Sequence, residues 1–389
     1  MKILIASDMY KPDINGVALV AQLQCEELRR RGIEARVIAL TDEGRSYCTD
    51  GIYYFDSYRD RIYPDWKKTR IRKHPLLDEL IEWKPDIIHI HSEGTAATLA
   101  RKVAKANRTP YVMTSHTDYA KYVFGKYDSI FPIFFIMRVL GVIAYRGSEY
   151  VILPSEKAGT FQQNRYIKKK TVHIPNGIDM KKYQKPVSDE EKKEIMAQYG
   201  IKDNGKILLV VSRLSHEKRI QDLISFMPEL LKSDPDIQLV IVGGGPYTDH
   251  LKEQVQKSGL TGSVIFTGMV QPEQVYKLYS IGTVFVSASD FEVHSLTYIE
   301  ASACGLPLLC LDDPCLKDVL FDGVNGHTFK GQEDFCRYAL QMIGDKELNQ
   351  KMRENALRIA ENFGEKAFVD KMLDVYNGIL KDRETAGKR

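Results

Sequence analysis

Glu292 and Glu300 stand in Phe291-Glu292-Val293-His294-Ser295-Leu296-Thr297-Tyr298-Ile299-Glu300, with seven residues between the carboxylates. The spacing predicts a loop carrying the first Glu, a short polar turn, and a helix carrying the second. Carboxylates accept hydrogen bonds from hydroxyls. The amides of Ser295, Leu296 and Thr297, at a helix start, have no partner within the helix and suit an anion. A ligand matching this order has a sugar at each end and phosphate between. Taken alone, the same pair also fits a hydrolytic acid/base dyad or a solvated helix face.

Other strand-exit segments offer compatible chemistry. In Val211-Ser212-Arg213-Leu214-Ser215-His216-Glu217-Lys218 two cations five apart can clamp a diphosphate, or can be a solvated charge pair. Val242-Gly243-Gly244-Gly245-Pro246 gives backbone room beside a nucleotide at Gly243 and Gly244, or is a plain tight turn. Gly16, in Asp13-Ile14-Asn15-Gly16-Val17, allows close backbone approach at a helix N-terminus, or belongs to an ordinary strand-to-helix turn. His116, in Ser115-His116-Thr117-Asp118-Tyr119, follows a strand, where it can donate to a sugar hydroxyl or steady a developing charge. A hydrogen-bonded structural His is the alternative. His89 and His91 share one strand face and read as structural. No G-x-G-x-x-G follows a strand, which weighs against a nicotinamide or flavin oxidoreductase. No H-E-x-x-H, C-x-x-C or acidic metal loop is present, so no required metal is expected.

These residues need strand ends to carry them. Apolar β-branched runs at residues 2–6, 35–40, 86–91, 110–115, 150–154 and 171–175 alternate with helical stretches. A second series runs at 206–212, 237–243, 263–267, 283–287 and 307–311. Such runs describe parallel strands buried on both faces. The expected fold is α/β, two doubly wound Rossmann-like domains facing across a cleft, where ligands of such sheets bind. Residues 1–180 form the first domain and 181–365 the second. Residues 181–205 are a charged linker followed by a lone helix. Residues 366–389 form a last helix. At 389 residues the chain is long enough for two cores. Its first residues form a strand, and its six cysteines lack disulfide or zinc spacing, so a cytoplasmic protein with reduced thiols is expected.

The net charge of +3 hides an asymmetry. Residues 1–180 carry 28 Lys and Arg against 21 Asp and Glu, and the remainder 27 against 31. Basic clusters at Arg29-Arg30-Arg31, residues 67–73 and Lys168-Lys169-Lys170 are either solvated surface or attracted to an anionic partner. Residues 130–145 hold one charge, Arg138, among aromatic and aliphatic side chains. That is too short to span a bilayer comfortably and suits an interfacial segment or a buried helix. No nucleic-acid-binding module is recognisable, so no nucleic-acid partner is expected.

Taken in order, Asn15-Gly16-Val17, Ile174-Pro175-Asn176-Gly177-Ile178-Asp179, Arg213 with Lys218, Val242-Gly243-Gly244-Gly245-Pro246, and Glu292 with Glu300 resemble the GT-B glycosyltransferases of family four. These are retaining enzymes that use nucleotide-diphosphate sugars, and the likeness covers nearly the whole chain; it implies that residues 1–180 take the acceptor, that 181–365 take the nucleotide sugar, and that the last helix, 366–389, crosses back to the first domain. It implies that Glu300 takes the ribose hydroxyls, Glu292 faces the donor sugar, and Arg213 and Lys218 neutralise the diphosphate. The amides of Ser295, Leu296 and Thr297, with Gly16, touch phosphate, and His116 lies beside the transferred sugar. The family has Gly where this chain has Ser295, which narrows the backbone choices there. The stretches Ser115-His116-Thr117-Asp118-Tyr119 and Leu296-Thr297-Tyr298-Ile299-Glu300-Ala301 resemble bacterial diacylglycerol glucosyltransferases. The implied reaction moves a hexose, glucose from UDP, to a lipid hydroxyl such as that of 1,2-diacylglycerol. The product is α-linked and no cofactor is needed beyond the donor. The implied location is the inner face of the cell membrane, in contact with anionic lipid. A glycan-precursor acceptor and a non-catalytic nucleotide-sugar sensor are the alternatives.

Overall fold

The structure, a computed structural model, describes residues 1–13, 15–59, 66–116, 145–163 and 170–387. The apolar segment 130–145, except Tyr145, and residues 117–119 and 168–169 lie outside them. The chain divides into two compact units, Met1–Gly177 with Glu365–Arg389, and Ile178–Gly364.

In the first unit eight strands form one sheet in the order β10-β9-β8-β7-β1-β2-β4-β3. They are β1 (Lys2–Ala6), β2 (Glu34–Thr41), β3 (Tyr47–Thr49), β4 (Ile52–Asp56), β7 (Ile87–Ile90), β8 (Tyr111–Thr114), β9 (Tyr150–Leu153) and β10 (Lys170–His173). All pair in parallel except β3 with β4. A separate hairpin pairs β5 (Tyr58–Arg59) with β6 (Lys67–Lys68). Ile3, Leu4, Ile5 and Ala6 are all fully buried, as helices on both faces of a parallel sheet require.

The chain adds β2 and β4 on one side of β1 and then crosses to place β7 on the other. The loops leaving β1 and β7 therefore flank the point where the winding reverses, the usual ligand position in such sheets. Here they are stapled together. The Asp8 carboxylate accepts from the Ala96 amide at 2.8 Å, at the start of the helix Thr95–Asn107. Burial pushes the Asp8 pKa up against the pull of these hydrogen bonds. A Cβ on Gly94 would lie 2.1 Å from that carboxylate, so only glycine fits.

The last helix, Glu365–Gly387, belongs to this unit. Phe368, Val369, Met372, Tyr376 and Ile379 are buried along one stripe. Arg31, which follows the helix Gly16–Arg30, donates to Asp370 at 2.5 Å and to the Lys366 carbonyl at 3.0 Å. The predicted basic clusters are partly spent inside the unit. Arg30 and Arg31 hold the buried Glu27, Arg29 donates to the Ala35 carbonyl, and Lys67 is only 5% exposed.

The second unit has six parallel strands in the order β13-β12-β11-β14-β15-β16. They are β11 (Ile207–Val211), β12 (Gln238–Val242), β13 (Val264–Gly268), β14 (Val284–Ser287), β15 (Leu308–Leu311) and β16 (Gly326–Phe329). Successive β11 residues feed opposite cores: Ile207, Leu209 and Val211 on one face, Leu208 and Val210 on the other. The winding reverses between β11 and β14, which pair directly. Within 181–205 the expected linker gives way to a short helix, Met180–Tyr183, and then Asp189–Tyr199, opened by a Ser188/Glu191 capping box and closed by Gly200 at φ 67°.

Candidate functional site

The reversal point of the second sheet brings two predicted residues into contact. Lys218 ends a short turn, His216–Lys218, after β11, and Arg219 stops that turn with φ 53°. Glu292 lies in the loop after β14. The Lys218 ammonium donates to Glu292 Oε1, and Ser289 Oγ donates to the same oxygen at 3.1 Å. The side chains of Lys218 and Glu292 are 20% and 15% exposed. A second ion pair, Arg219 with Asp290 at 3.5 Å, ties the same loops together. Lys218, Glu292 and Thr297 line one narrow pocket with Val211, Ser287 and Ala288.

Thr297 is on the first turn of the helix Leu296–Ala303, whose N-cap is Ser295 at φ −75°, ψ 125°. That conformation is open to any L-residue, so Ser in place of the family's Gly imposes no backbone strain here. Ser295 Oγ meets Thr297 Oγ1 at 3.0 Å and does not cap a backbone amide.

Arg213 sits exposed at the crest of the loop after β11. Its seat is the glycine run after β12. Leu214 N donates to the Gly244 carbonyl at 3.0 Å, and Tyr247 N to the Leu214 carbonyl at 3.0 Å. A Cβ on Gly243, at φ 133°, would lie 2.0 Å from the Ser212 carbonyl oxygen, and one on Gly245 would lie 2.3 Å from that of Leu214. The space left at these two glycines is thus taken by the Arg213 loop. At Gly244 the neighbour is the side chain of Met269, which is 82% exposed.

Glu300 does not line the pocket with Glu292. It is 7% exposed and carried one turn into the helix, where Oε1 accepts from the Tyr183 hydroxyl at 2.6 Å and Oε2 from the Tyr279 hydroxyl at 2.8 Å. Burial raises its pKa against the pull of the two tyrosines. A carboxylate has about four acceptor positions, so two hydroxyls leave capacity for others. Sequence reasoning missed Tyr183, Tyr279, Ser289 and Arg219. No motif marks them, and Arg219 directly follows Lys218.

Gly16 and His116 belong to the first unit. Gly16 opens its helix, with Asn15 Oδ1 accepting from Ala18 N at 3.0 Å. Lys67 fixes the preceding loop through Asp13 at 2.8 Å. His116, at the exit of β8, contacts His91 Nδ1 through Nε2 at 3.0 Å. The rings of His89, His91 and His116 are stacked in succession, 4.1 Å and 5.3 Å between centroids.

Burial, aided by repulsion from neighbouring imidazoles, pushes His89 down to about 3 and His91 well below 6.5. As pH falls below 6.5 the unfolded chain protonates both while the folded chain keeps them neutral. Their contribution is therefore intact above 6.5 and is lost toward acid, at up to about 1.4 kcal/mol per pH unit for each. Denaturant midpoints at pH 7, 6 and 5 should fall steadily. An unchanged midpoint would contradict buried neutral imidazoles.

Among the described residues no group of three or more His, Cys, Asp or Glu could hold a metal ion. Nor is any helix among them long and apolar enough to cross a membrane.

The chain matches the Glycosyltransferase Family 4 description over residues 14–182 and that of Glycosyl transferases group 1 over 191–358. An alpha-monoglucosyldiacylglycerol synthase of Streptococcus pneumoniae is 31% identical over 388 residues, covering 94% of this chain and 84% of the relative. One of Acholeplasma laidlawii is 27% identical over 374 residues, covering 92% of each. Among solved structures, HepE of Anabaena in complex with UDP and glucose superposes with a TM-score of 0.76 at 20% identity, covering 97% of this chain and 100% of that one. Sucrose-phosphate synthase from Thermosynechococcus elongatus gives 0.76 at 18% identity, covering 98% and 99%. At such identities the two structures speak to the fold.

Proposed function

Because the chain belongs to the GT-B glycosyltransferases of family four, and so takes a nucleotide sugar as donor, we propose that it moves glucose from UDP-glucose to the free hydroxyl of 1,2-diacylglycerol, with retention. The observation that carries the donor half is the Lys218–Glu292 bridge at the sheet's reversal point, beside the first turn of the helix Leu296–Ala303. An ammonium has three N–H donors, so Lys218 can keep Glu292 and still reach a phosphate oxygen. Arg213 on its glycine seat would supply the second cation, and the amides of Ser295, Leu296 and Thr297 further donors. Glu292 would face the sugar and Glu300 the ribose hydroxyls. Gly16 would approach phosphate through its amide, and His116 would act on the transferred sugar.

The reaction follows from those roles. The bond between the anomeric carbon and the phosphate oxygen breaks, and its electron pair stays on the diphosphate. Arg213 and Lys218 stabilise that charge. The acceptor hydroxyl attacks the same face, and its proton passes to the departing phosphate oxygen. A double displacement needs two carboxyl groups flanking one bond. Glu292 is engaged by Lys218 and Ser289, and Glu300 by Tyr183 and Tyr279, which favours the front-face course.

The acceptor half rests on the two synthases, named for glucosylated diacylglycerol and alike along nearly the whole chain. The basic excess of residues 1–180 is consistent with work at the anionic inner face of a membrane. The test is a panel of UDP- and GDP-sugars against a membrane lipid extract, with mass detection. The expected product is diacylglycerol carrying one hexose, with UDP-glucose as donor. No lipid product with any donor would remove the acceptor assignment and favour a glycan precursor. Saturable binding without nucleotide release would mark a sensor.

A further inference from the structure

We propose that a hydrogen-bond chain of one polarity, Tyr376–Gln24–His91–His116, fixes His116 with its Nε2 proton turned inward and its lone pair on Nδ1. Gln24 and His91 are then positioning residues for the reaction, and the last helix, through Tyr376, is the far anchor. The inference deepens the reading of His116 as a group acting on the transferred sugar and rests on it.

With the Gln24 amide oxygen facing His91, donor and acceptor inventories fix the directions. Gln24 Oε1, which can only accept, lies 2.6 Å from His91 Nε2, so that nitrogen carries the proton. His91 is neutral in its buried position, and its Nδ1 is then an acceptor. The partner of Nδ1 is His116 Nε2 at 3.0 Å, which must donate. A neutral His116 that donates from Nε2 has its lone pair on Nδ1.

The other half of the chain is satisfied in the same sense. Gln24 Nε2 donates to the Tyr376 hydroxyl at 2.5 Å and lies 2.9 Å from His89 Nδ1. The Tyr376 hydroxyl, having accepted, donates to His89 Nδ1 at 2.5 Å. His89 Nε2 then holds the proton and donates to Thr114 Oγ1 at 2.7 Å. Every group behind His116 is out of water: Gln24, His89 and Tyr376 are 0% exposed, His91 and Thr114 1%. Solvent therefore cannot exchange partners in the chain, and the Gln24 amide sets its sense. Turned over, that amide would reverse the bonds and leave His116 with a proton on Nδ1.

The functional consequence is selective. With the lone pair on Nδ1, His116 can accept from a hydroxyl, where the sequence suggested a donor, and offers no proton to a carbonyl or phosphate oxygen. The network reaches His116 from the helices Gly16–Arg30 and Glu365–Gly387, so its tautomer depends on how these are packed.

Two measurements decide it. The first is the long-range proton–nitrogen spectrum of ¹⁵N-histidine protein at pH 7.5, with nine histidines to resolve and His116→Gln to assign the signal. A proton on His116 Nε2 and a bare Nδ1 are expected, and the opposite tautomer overturns the proposal. The second is kinetic. His91→Phe should lower kcat about tenfold with donor KM within about twofold. His91→Asn, which keeps an acceptor near the Nδ1 position, should recover most of that loss. Equal losses in both variants, or none in a folded His91→Phe, overturn the proposal. His116→Ala is run in parallel. If it turns over normally, the role of His116 fails as well. If it is impaired while His91→Phe is not, only the chain fails.

Discussion

Replacing Lys218 by Met should lower kcat/KM for the nucleotide sugar by roughly 10²–10³, the loss that follows removal of one preorganised charge-stabilising donor. Two effects add. In the proposed role the diphosphate would lose a cation as its negative charge develops, and Glu292, 15% exposed, loses its ion partner. Breaking a buried pair from one side costs about 3–5 kcal/mol; this pair retains some exposure, so the stability loss should fall below that range. The two contributions separate in a double-mutant cycle with Glu292→Gln. If the ammonium bridges carboxylate and phosphate, the double variant is far less impaired than the sum of the singles predicts, because both act on one unit. Strict additivity would mean that the bridge has no bearing on turnover. A Lys218→Met enzyme with near-normal kcat/KM would remove Lys218 from the clamp altogether.

Glu300→Ala should cost stability and donor affinity together, and Glu300→Gln should cost mainly affinity. Truncation leaves the hydroxyls of Tyr183 and Tyr279 buried without their acceptor, at about 1–3 kcal/mol for each. A large fall in Tm is therefore expected. The amide of Gln preserves the volume and one acceptor oxygen, so most of that loss is avoided. Hydrogen bonds from ribose hydroxyls to an ionised carboxylate are worth about 1.5–3 kcal/mol each. Removing the charge should thus raise donor KM by at least about tenfold in both variants. A folded Glu300→Gln enzyme with the parent's donor KM would reduce Glu300 to a structural anchor for the two tyrosines.

The fold was largely legible because buried parallel strands leave a plain trace, short apolar runs rich in Ile, Leu and Val such as Lys-Ile-Leu-Ile-Ala and Ile-Leu-Leu-Val-Val. The strands that escaped lie at or near sheet edges. β4 is Ile-Tyr-Tyr-Phe-Asp beside the positive-φ pair Asp50 and Gly51, and β16 is Gly-His-Thr-Phe, without an apolar run. Gly326 in β16 looks like a loop residue, yet its φ of 155° and a Cβ position 1.9 Å from the Leu308 carbonyl show why glycine is required in that strand.

At the site, charges at strand ends were legible and their partners were not. Nothing in the spacing says that Lys218 meets Glu292, because the meeting depends on β11 and β14 being neighbours at a crossover. The Gly243-Gly244-Gly245 run was readable as an exit loop. That its glycines make room for the Ser212–Leu214 backbone could be learned only from packing. His89 and His91 were read as structural, and their burial agrees. What the sequence hides is that Gln24 and Tyr376, 352 residues apart, join them to His116.

The most direct test of the central claim is the anomeric configuration of the product formed from UDP-glucose and vesicle-borne 1,2-diacylglycerol, read by proton NMR on the purified glycolipid at early conversion. The account predicts one glucose, α-linked to the free hydroxyl of diacylglycerol. A β-linked product would contradict retention and the front-face course, and the absence of any glucosylated diacylglycerol would contradict the acceptor.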